Sequence, residues 1–446
     1  MQLFTRAVHA GSWTLGGHIA AQFLRFGSNL AMTRLLAPEF FGVMALAFTF
    51  LFALNMASDL GIQQIVTASK RGEEPRFLQV VWTLETLRGL GIFAIGALIA
   101  LGLLTAQRMD WLSPDSTYGH PDLPLALGLI SFASVIGATS SINLLTKARQ
   151  LLVARVVTID IVSQVIGIAV MLAWAFLSPN ILALAAGNIA TATLKSLLSH
   201  GFIDGIQARL KWDRDTVKEI FNFGRWIFLS SLLGFIAIWI DRIILAGQLS
   251  ATDFGIYTIA VLLVSAPSEI IQRMISSVLF PALSETARDD PGRLSANYYK
   301  VRRFIDLSAV GAALFFFIFG AKLVELLYDD RYLSAGAALE IMALSLPIIG
   351  LSASSQIYVA TGKPWLNSIL LVPRVLGLLV LLPTMTAAHG LVGTAWAIVF
   401  SQWIALPLIY FLLRRERILS ISAELRFVGI LVCCLGAAWG IRNMIF

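Results

Sequence analysis

The chain has 446 residues, of which 58% are hydrophobic and 13% are charged, and its formal net charge is +7. Soluble domains contain about 25% charged residues, so this composition leaves too little polar surface for an ordinary water-soluble protein. The basic residues are spread over many short segments without a single patch, which argues against nucleic acid as a partner.

Apolar runs of about 20 residues, the length that spans a bilayer core, recur from one end of the chain to the other. The N-terminal segment has no small-residue cleavage site and leads into a full-length run, so we do not expect a cleavable signal. The sequence predicts an all-α, polytopic membrane protein. Its thirteen predicted helices cover residues 12–36, 40–67, 78–106, 123–146, 151–177, 180–200, 221–248, 253–282, 303–328, 336–361, 366–388, 391–413 and 424–445.

The distribution of Lys and Arg between the short loops predicts the orientation. With a cytoplasmic N-terminus, the cytoplasmic segments contain 18 basic residues and the external segments contain two, Arg108 and Arg331. The opposite orientation would place nearly all of this positive charge outside. We therefore interpret the net charge as a topology signal and predict a cytoplasmic N-terminus.

A weak internal repeat appears when the sequence is shifted by 213 residues, which aligns Leu36 with Leu249 and Gly42 with Gly255. The first six and the next six predicted helices have similar lengths, and both sets begin in the cytoplasm. This pattern predicts two parallel lobes around a central cavity, 1–206 and 207–413, followed by an extra transmembrane segment, 414–446. Candidate bend points inside the helices are Pro267, Pro347, Pro373 and Pro407.

Several charged residues lie where lipid is expected, at a cost of roughly 2.5–3.5 kcal/mol each near a helix centre. Arg25 has no carboxylate within one turn of its own predicted helix, which makes it the best candidate for a cavity cation. Arg273, Arg374 and Arg242 are further candidates for substrate binding. Arginine holds phosphate through paired hydrogen bonds, so these residues are suited to a diphosphate group.

Other intramembrane charges have partners within reach. Glu85–Arg88 and Glu269–Arg273 have the spacing of pairs within one helix. Asp241 and Arg242 point about 100° apart on a helix, so at least one of them should find a partner elsewhere.

Acidic residues are the candidates for gating or for coupling to H⁺ or Na⁺: Asp59, Asp160, Asp241 and Glu269. Asp59 and Asp160 also fit hydrogen bonds between packed helices, and the sequence leaves both readings open. The repeat places Asp59 at the depth of Arg273, and we hypothesise that they pair across the lobe interface when the inner side is closed.

We expect no cofactor and no metal site, because the five His and two Cys are not clustered in a ligand pattern. Cys433 and Cys434 are adjacent in an apolar run, and neighbouring cysteines make a poor disulfide. They are predicted to be unpaired.

Three segments are similar to a known family: "TRLLAPEFFGVMALAFTFLFALNMASDLGIQQ", "WIDRIILAGQLSATDFGIYTIA" and "ISSVLFPALSETARDD". They resemble the Wzx-type polysaccharide-transporter branch of the MOP flippase superfamily. The resemblance implies two six-helix lobes, a cationic central cavity and twelve core helices plus two. It also implies flipping of undecaprenyl-diphosphate-linked oligosaccharide across the bacterial inner membrane.

Three alternative functions fit the sequence less well. A cation-coupled drug exporter of the same superfamily would favour an acidic cavity. The candidate arginines, Arg25 above all, favour an anionic substrate instead. A membrane polysaccharide polymerase or ligase would require catalytic groups on a substantial external loop, and the longest external loop predicted here is 107–122. A structural scaffold fits poorly with so many intramembrane charges.

Overall fold

The structure, a computed structural model, describes residues 2–150, 152–363 and 365–445, and within these ranges all regular secondary structure is helical. The chain divides into two compact units, one ending at Gly247 and the other beginning at Gln248. The fold class predicted from the sequence, an all-α polytopic membrane protein, is confirmed.

The first unit consists of nine described helices. They are α1 (Gln2–Leu35), α2 (Pro38–Met56), α3 (Ile62–Ala68), α4 (Pro75–Arg108), α5 (Leu123–Ala138), α6 (Asn143–Arg149), α7 (Val153–Leu177), α8 (Ile181–Phe202) and α9 (Arg214–Ala246).

The turn between α1 and α2 follows directly from its residues. Ala37 is extended and Pro38 occupies the start of α2, where its missing N–H costs nothing and its fixed φ suits a helix. The break between the first two predicted helices is confirmed.

The second predicted helix, 40–67, is interrupted in the structure. α2 ends at Met56, and Gly61 has φ 63° before α3 begins. Asp59 was predicted to lie inside this helix, and that prediction is wrong, because its Oδ1 accepts a hydrogen bond from the Gly61 N–H at 2.9 Å within the break. Short polar side chains commonly bond to backbone in this way and compete with helix.

Helix α9 begins the second half of the repeat, yet it packs within the first unit against α2. Asp213 caps its first turn by accepting a hydrogen bond from the Thr216 N–H. The boundary between compact units therefore follows α9, whereas the predicted lobes are divided before it. The lobe division at 206/207 stays a prediction.

The second unit also consists of nine described helices. They are α10 (Ala251–Met274), α11 (Phe280–Asp289), α12 (Leu294–Leu327), α13 (Ser334–Ala343), α14 (Leu346–Ser352), α15 (Ser355–Ala360), α16 (Trp365–Trp403), α17 (Leu406–Arg415) and α18 (Ile421–Ile445).

Proline and glycine explain most of the breaks in this unit. Pro347 and Pro407 stand in the first turns of α14 and α17, so these two predicted bend points separate helices. Pro267 and Pro373 remain inside α10 and α16. Gly390, with φ 54° and ψ −133°, divides α16 at a kink, which agrees with the predicted boundary between 388 and 391.

Helix α12 starts nine residues earlier than the predicted 303–328 helix, at Leu294. Tyr298 and Arg302 were assigned to a cytoplasmic loop, and instead they are buried in α12 with 0% and 1% exposure. Arg302 enters the helix because Glu424 of α18 provides an opposite charge there.

Nine described helical segments are long and apolar enough to cross a membrane, or ten if the pair α5 and α6, bent by 65°, is one span. Helix is present at all thirteen predicted positions. α1 and α9 are not among these nine membrane-spanning candidates, although each is longer than 30 residues.

Cys433 and Cys434 of α18 are unpaired, as predicted.

Candidate substrate cavity

The first unit contains a cavity of about 730 Å³. α7 and α8 form one wall and pack closely, since a Cβ on Gly167 would come within 2.7 Å of the Gly187 carbonyl oxygen. The bend between α5 and α6 forms another part of the lining. α1, α2 and α4 complete it.

Arg25 of α1 lines this cavity with an exposed side chain. In the part of the chain that the structure describes, its guanidinium forms no ion pair. Its helix is held beside α7 by Gln164, whose Nε2 donates to the Ala21 carbonyl oxygen at 3.3 Å. Arg25 is thus available for an anionic ligand.

Asp160 of α7 lines the same cavity and is paired with Lys195 of α8. The distance from Lys195 Nζ to Asp160 Oδ1 is 2.7 Å, and both side chains remain about two-fifths exposed. Asp160 thus neutralises Lys195 within the wall.

Glu85 of α4 also lines the cavity and forms its predicted pair with Arg88, at 3.1 Å. Arg88 has further partners: its Nε donates to Ser58 Oγ at 3.1 Å and its Nη2 donates to Asn55 Oδ1 at 3.1 Å. This network joins α4 to the C-terminal end of α2.

Lys195 cancels Asp160, and Arg88, which stands behind the lining, cancels Glu85. With Arg88 counted, Arg25 leaves the described wall of the cavity with one net positive charge. The rest of the polar lining consists of hydroxyl and amide groups, which form hydrogen bonds with neutral polyhydroxyl molecules. These residues are Ser28, Ser140, Ser141, Ser163, Gln164, Asn188 and Thr191. The cavity can therefore hold an anionic group beside a neutral polar one.

Asp59 lies outside the residues that line this cavity. Its Oδ2 accepts a hydrogen bond from Ser231 Oγ of α9 at 2.9 Å, while its Oδ1 caps the break before α3. Its contacts therefore join α9 to the end of α2. The coupling or gating role of Asp59 stays a prediction.

Asp241 and Arg242 of α9 form an ion pair with an Nη1–Oδ1 distance of 3.6 Å. Arg242 has a second partner, since its guanidinium lies 4.2 Å from the ring centroid of Trp239. Trp239 in turn stacks on Phe52 of α2 with centroids 4.6 Å apart. Arg242 thus finds the additional partner expected from the sequence.

The remaining predicted site residues are in the second unit. Glu269 is exposed and Arg273 half-buried in the last turns of α10, directly before a π-helical segment, Ile275–Leu279. Arg374 is half-buried in α16 beside Pro373. Their predicted contact with substrate is untested.

Sequence reasoning missed a buried cluster in this unit, which consists of Arg302, Asp306 and Glu424. Two signals were available. Arg302 and Asp306 have the spacing of a helical pair, and Glu424 is the one acidic residue in the last apolar segment. The misplaced start of α12 hid the first of these signals.

No group of three His, Cys, Asp or Glu residues suited to a metal ion occurs within the described ranges.

Comparison with known proteins identifies the family of this chain. The family described as "Polysaccharide biosynthesis protein" matches residues 31–337. The chain is 20% identical to the lipopolysaccharide biosynthesis protein WzxC of Escherichia coli over 77% of this chain and 68% of that protein. It is 22% identical to the succinoglycan biosynthesis transport protein ExoT of Rhizobium meliloti over 64% of this chain and 55% of that protein.

Two solved structures have a similar fold. The lipid II flippase MurJ in an inward closed conformation superposes with a TM-score of 0.70 and 15% identity, covering 98% of this chain and 93% of MurJ. A multidrug resistance transporter of the MATE family, in the MOP superfamily, gives a TM-score of 0.62 and 16% identity over 89% of this chain and 94% of its own. The resemblance inferred from the sequence is confirmed.

Proposed function

Because this chain belongs to the polysaccharide biosynthesis protein family, we propose that it is a flippase for undecaprenyl-diphosphate-linked oligosaccharide. It moves this lipid from the inner to the outer leaflet of the bacterial inner membrane, for surface polysaccharide or exopolysaccharide assembly. It acts as a transporter and catalyses no covalent reaction. The observation that supports this proposal most strongly is the cavity in whose described wall Arg25 lacks an ionic partner, while Glu85 pairs with Arg88 and Asp160 with Lys195.

The chemistry of the cavity matches the two parts of such a head group. Arg25 donates charge-assisted hydrogen bonds to the diphosphate. Hydroxyl and amide side chains such as Asn188 and Thr191 exchange hydrogen bonds with the sugars, while the prenyl chain stays in the surrounding lipid. Arg242, Arg273 and Arg374 contact the head group at other stages of transport.

Movement across the membrane occurs by alternating access of two parallel lobes, 1–206 and 207–413. The N-terminus is cytoplasmic, because basic residues are concentrated in the segments on that side. Lys300, Arg302 and Arg303 lie in α12, and basic residues still predominate in the cytoplasmic segments without them. Gating or coupling to H⁺ or Na⁺ involves Asp59, Asp160, Asp241 and Glu269.

The proposal is tested by deleting the gene and locating the lipid-linked repeat units. We expect them to accumulate facing the cytoplasm and to reach the outer leaflet again when the gene is restored. Repeat units that face outward in normal amounts without the gene would contradict the flippase. Increased drug sensitivity in that strain would instead support an exporter.

A further inference from the structure

A buried ionic cluster joins α18 to α12 in the second unit, and its charges do not cancel. The Arg302 side chain is 1% exposed, and its Nη1 and Nη2 donate to Glu424 Oε1 and Oε2 at 2.5 and 3.1 Å. Its Nε lies 3.1 Å from Asp306 Oδ2. One guanidinium thus faces two carboxyl groups.

The two carboxyl groups are unequally supported. Glu424 also accepts hydrogen bonds from Tyr299 Oη at 2.8 Å and from Tyr410 Oη at 3.3 Å. Among the described residues, the only hydrogen-bond donor to Asp306 is Arg302 Nε, which is close to both carboxylate oxygens. Hydrogen bonds to a carboxylate favour its ionised form, and Asp306 receives fewer of them than Glu424 does.

The Asp306 side chain is mostly buried, with 14% of it exposed. Gly350 of α14 packs directly against its Oδ1, where an added Cβ would collide with that oxygen. α14 contributes no titratable side chain. Besides Asp306, the titratable groups of the cluster are Arg302, Tyr298 and Tyr299 of α12, Tyr410 of α17 and Glu424 of α18. The tyrosines contact Arg302 or Glu424.

Charge balance decides the state of Asp306. With both carboxyl groups ionised, the cluster would have one net negative charge among helices of membrane-spanning length. An uncompensated buried carboxylate is unfavourable and takes up a proton instead. Asp306 is the less supported carboxyl group, so it takes the proton.

We propose that Asp306 is a proton-binding site of the second unit, and that its proton keeps α18 docked against α12. Uptake transfers one proton from water to the carboxylate and requires no other reactant. Loss of that proton gives the cluster a net negative charge and weakens the docking of α18. This proposal is independent of the transported substrate.

Infrared difference spectroscopy of the full chain in lipid nanodiscs tests the site directly. We expect a protonated-carboxyl band that shifts in D₂O, disappears as the pH is raised, and is lost in Asp306→Asn. Asp306→Glu should keep a band at a shifted position. Glu325→Gln is the matched control, since Glu325 forms an exposed pair with Lys322, and it should leave the band unchanged. A band that survives in Asp306→Asn, or no band in the parent, would overturn the proposal.

Docking of α18 is measured at a native cysteine. Cys434 packs beside the apolar cluster that includes Val310 and Phe427. In a Cys433→Ser background, we expect alkylation of Cys434 by a lipid-soluble maleimide to rise more steeply with pH than in the same background with Asp306→Asn. Equal alkylation rates of Cys434 in the two variants at every pH would refute the link between the Asp306 proton and the docking of α18.

Discussion

Asp160 and Lys195 form an ion pair of 2.7 Å across two adjacent helices, in the wall of the cavity that Arg25 also lines. Because this pair is neutral and Arg88 neutralises Glu85, Arg25 gives the described wall of the cavity its positive sign. The electrostatics of the cavity therefore depend on the integrity of the pair as well as on Arg25.

The first prediction concerns this pair. Lys195→Gln leaves the Asp160 carboxylate uncompensated, and its repulsion of a diphosphate should slow translocation by about tenfold, or about 1.4 kcal/mol. The free energy of unfolding should change by less than about 1 kcal/mol, since exposed pairs contribute little. Translocation is measured in proteoliposomes with a lipid-linked oligosaccharide. The double variant Asp160→Asn/Lys195→Gln should be faster than Lys195→Gln, because it lacks the uncompensated carboxylate, but slower than the parent, because it also lacks the gating or coupling group Asp160. A double variant as slow as Lys195→Gln would contradict the repulsion.

The second prediction concerns Arg88, which bonds to Glu85, Ser58 and Asn55. Arg88→Ala leaves these half-buried groups without their donor and should lower the free energy of unfolding by about 2 kcal/mol. Denaturant unfolding in detergent measures the loss. Arg108→Ala, at an exposed position at the end of α4, should unfold like the parent, and equal stability of the two variants would refute the proposed network.

The third prediction concerns the break after α2. Gly61 has φ 63° and the Ile227 side chain packs where a Cβ would stand. Gly61→Ala should destabilise the protein by about 1–2 kcal/mol, the cost of a left-handed conformation, plus the local clash. Gly102→Ala in α4 has open space around its Cβ and should stabilise by up to about 1 kcal/mol. Thermal unfolding of both variants should shift in opposite directions, and shifts of the same sign would be inconsistent with this account.

The fourth prediction concerns pH and the N-terminus of α9. Hydrogen bonds from Thr216, with help from Arg76 and Arg71, lower the pKa of Asp213 from its ordinary value of 3.8. A carboxyl group with a depressed folded-state pKa stabilises the protein above its unfolded pKa, and the effect is lost as pH falls through the folded value. Asp213→Asn should therefore reduce the unfolding temperature near neutral pH, and its difference from the parent should shrink below pH 3.8. A difference that is constant across this range would contradict the assignment.

Much of the fold was accessible from sequence because a bilayer imposes a simple rule on helix length and polarity. Each of the thirteen predicted helices corresponds to helix in the structure, and the break at Gly390 was placed correctly. The break at Asp59 was missed because hydropathy does not register a side chain that caps its own backbone. The start of α12 was missed because Arg302 resembles a loop residue until its partner Glu424, 122 residues away, is known.

The candidate site was partly accessible for the same reason. Arg25 was recognised by the lack of a carboxylate on its own helix, and the Glu85–Arg88 pair by its spacing. The partner of Lys195 depends on how α7 packs on α8, which helical periodicity alone does not determine. The cluster of Arg302, Asp306 and Glu424 depends in the same way on the position of α18.

The most direct test of the central claim is translocation by Arg25→Ala. Loss of a charge-assisted contact to phosphate is worth about 3 kcal/mol, which corresponds to a rate lower by about 100-fold. The rate is measured in proteoliposomes with the undecaprenyl-diphosphate-linked oligosaccharide, at matched protein abundance, and Arg25→Lys should retain part of the activity because it keeps the charge. Translocation by Arg25→Ala at the parental rate would contradict the account.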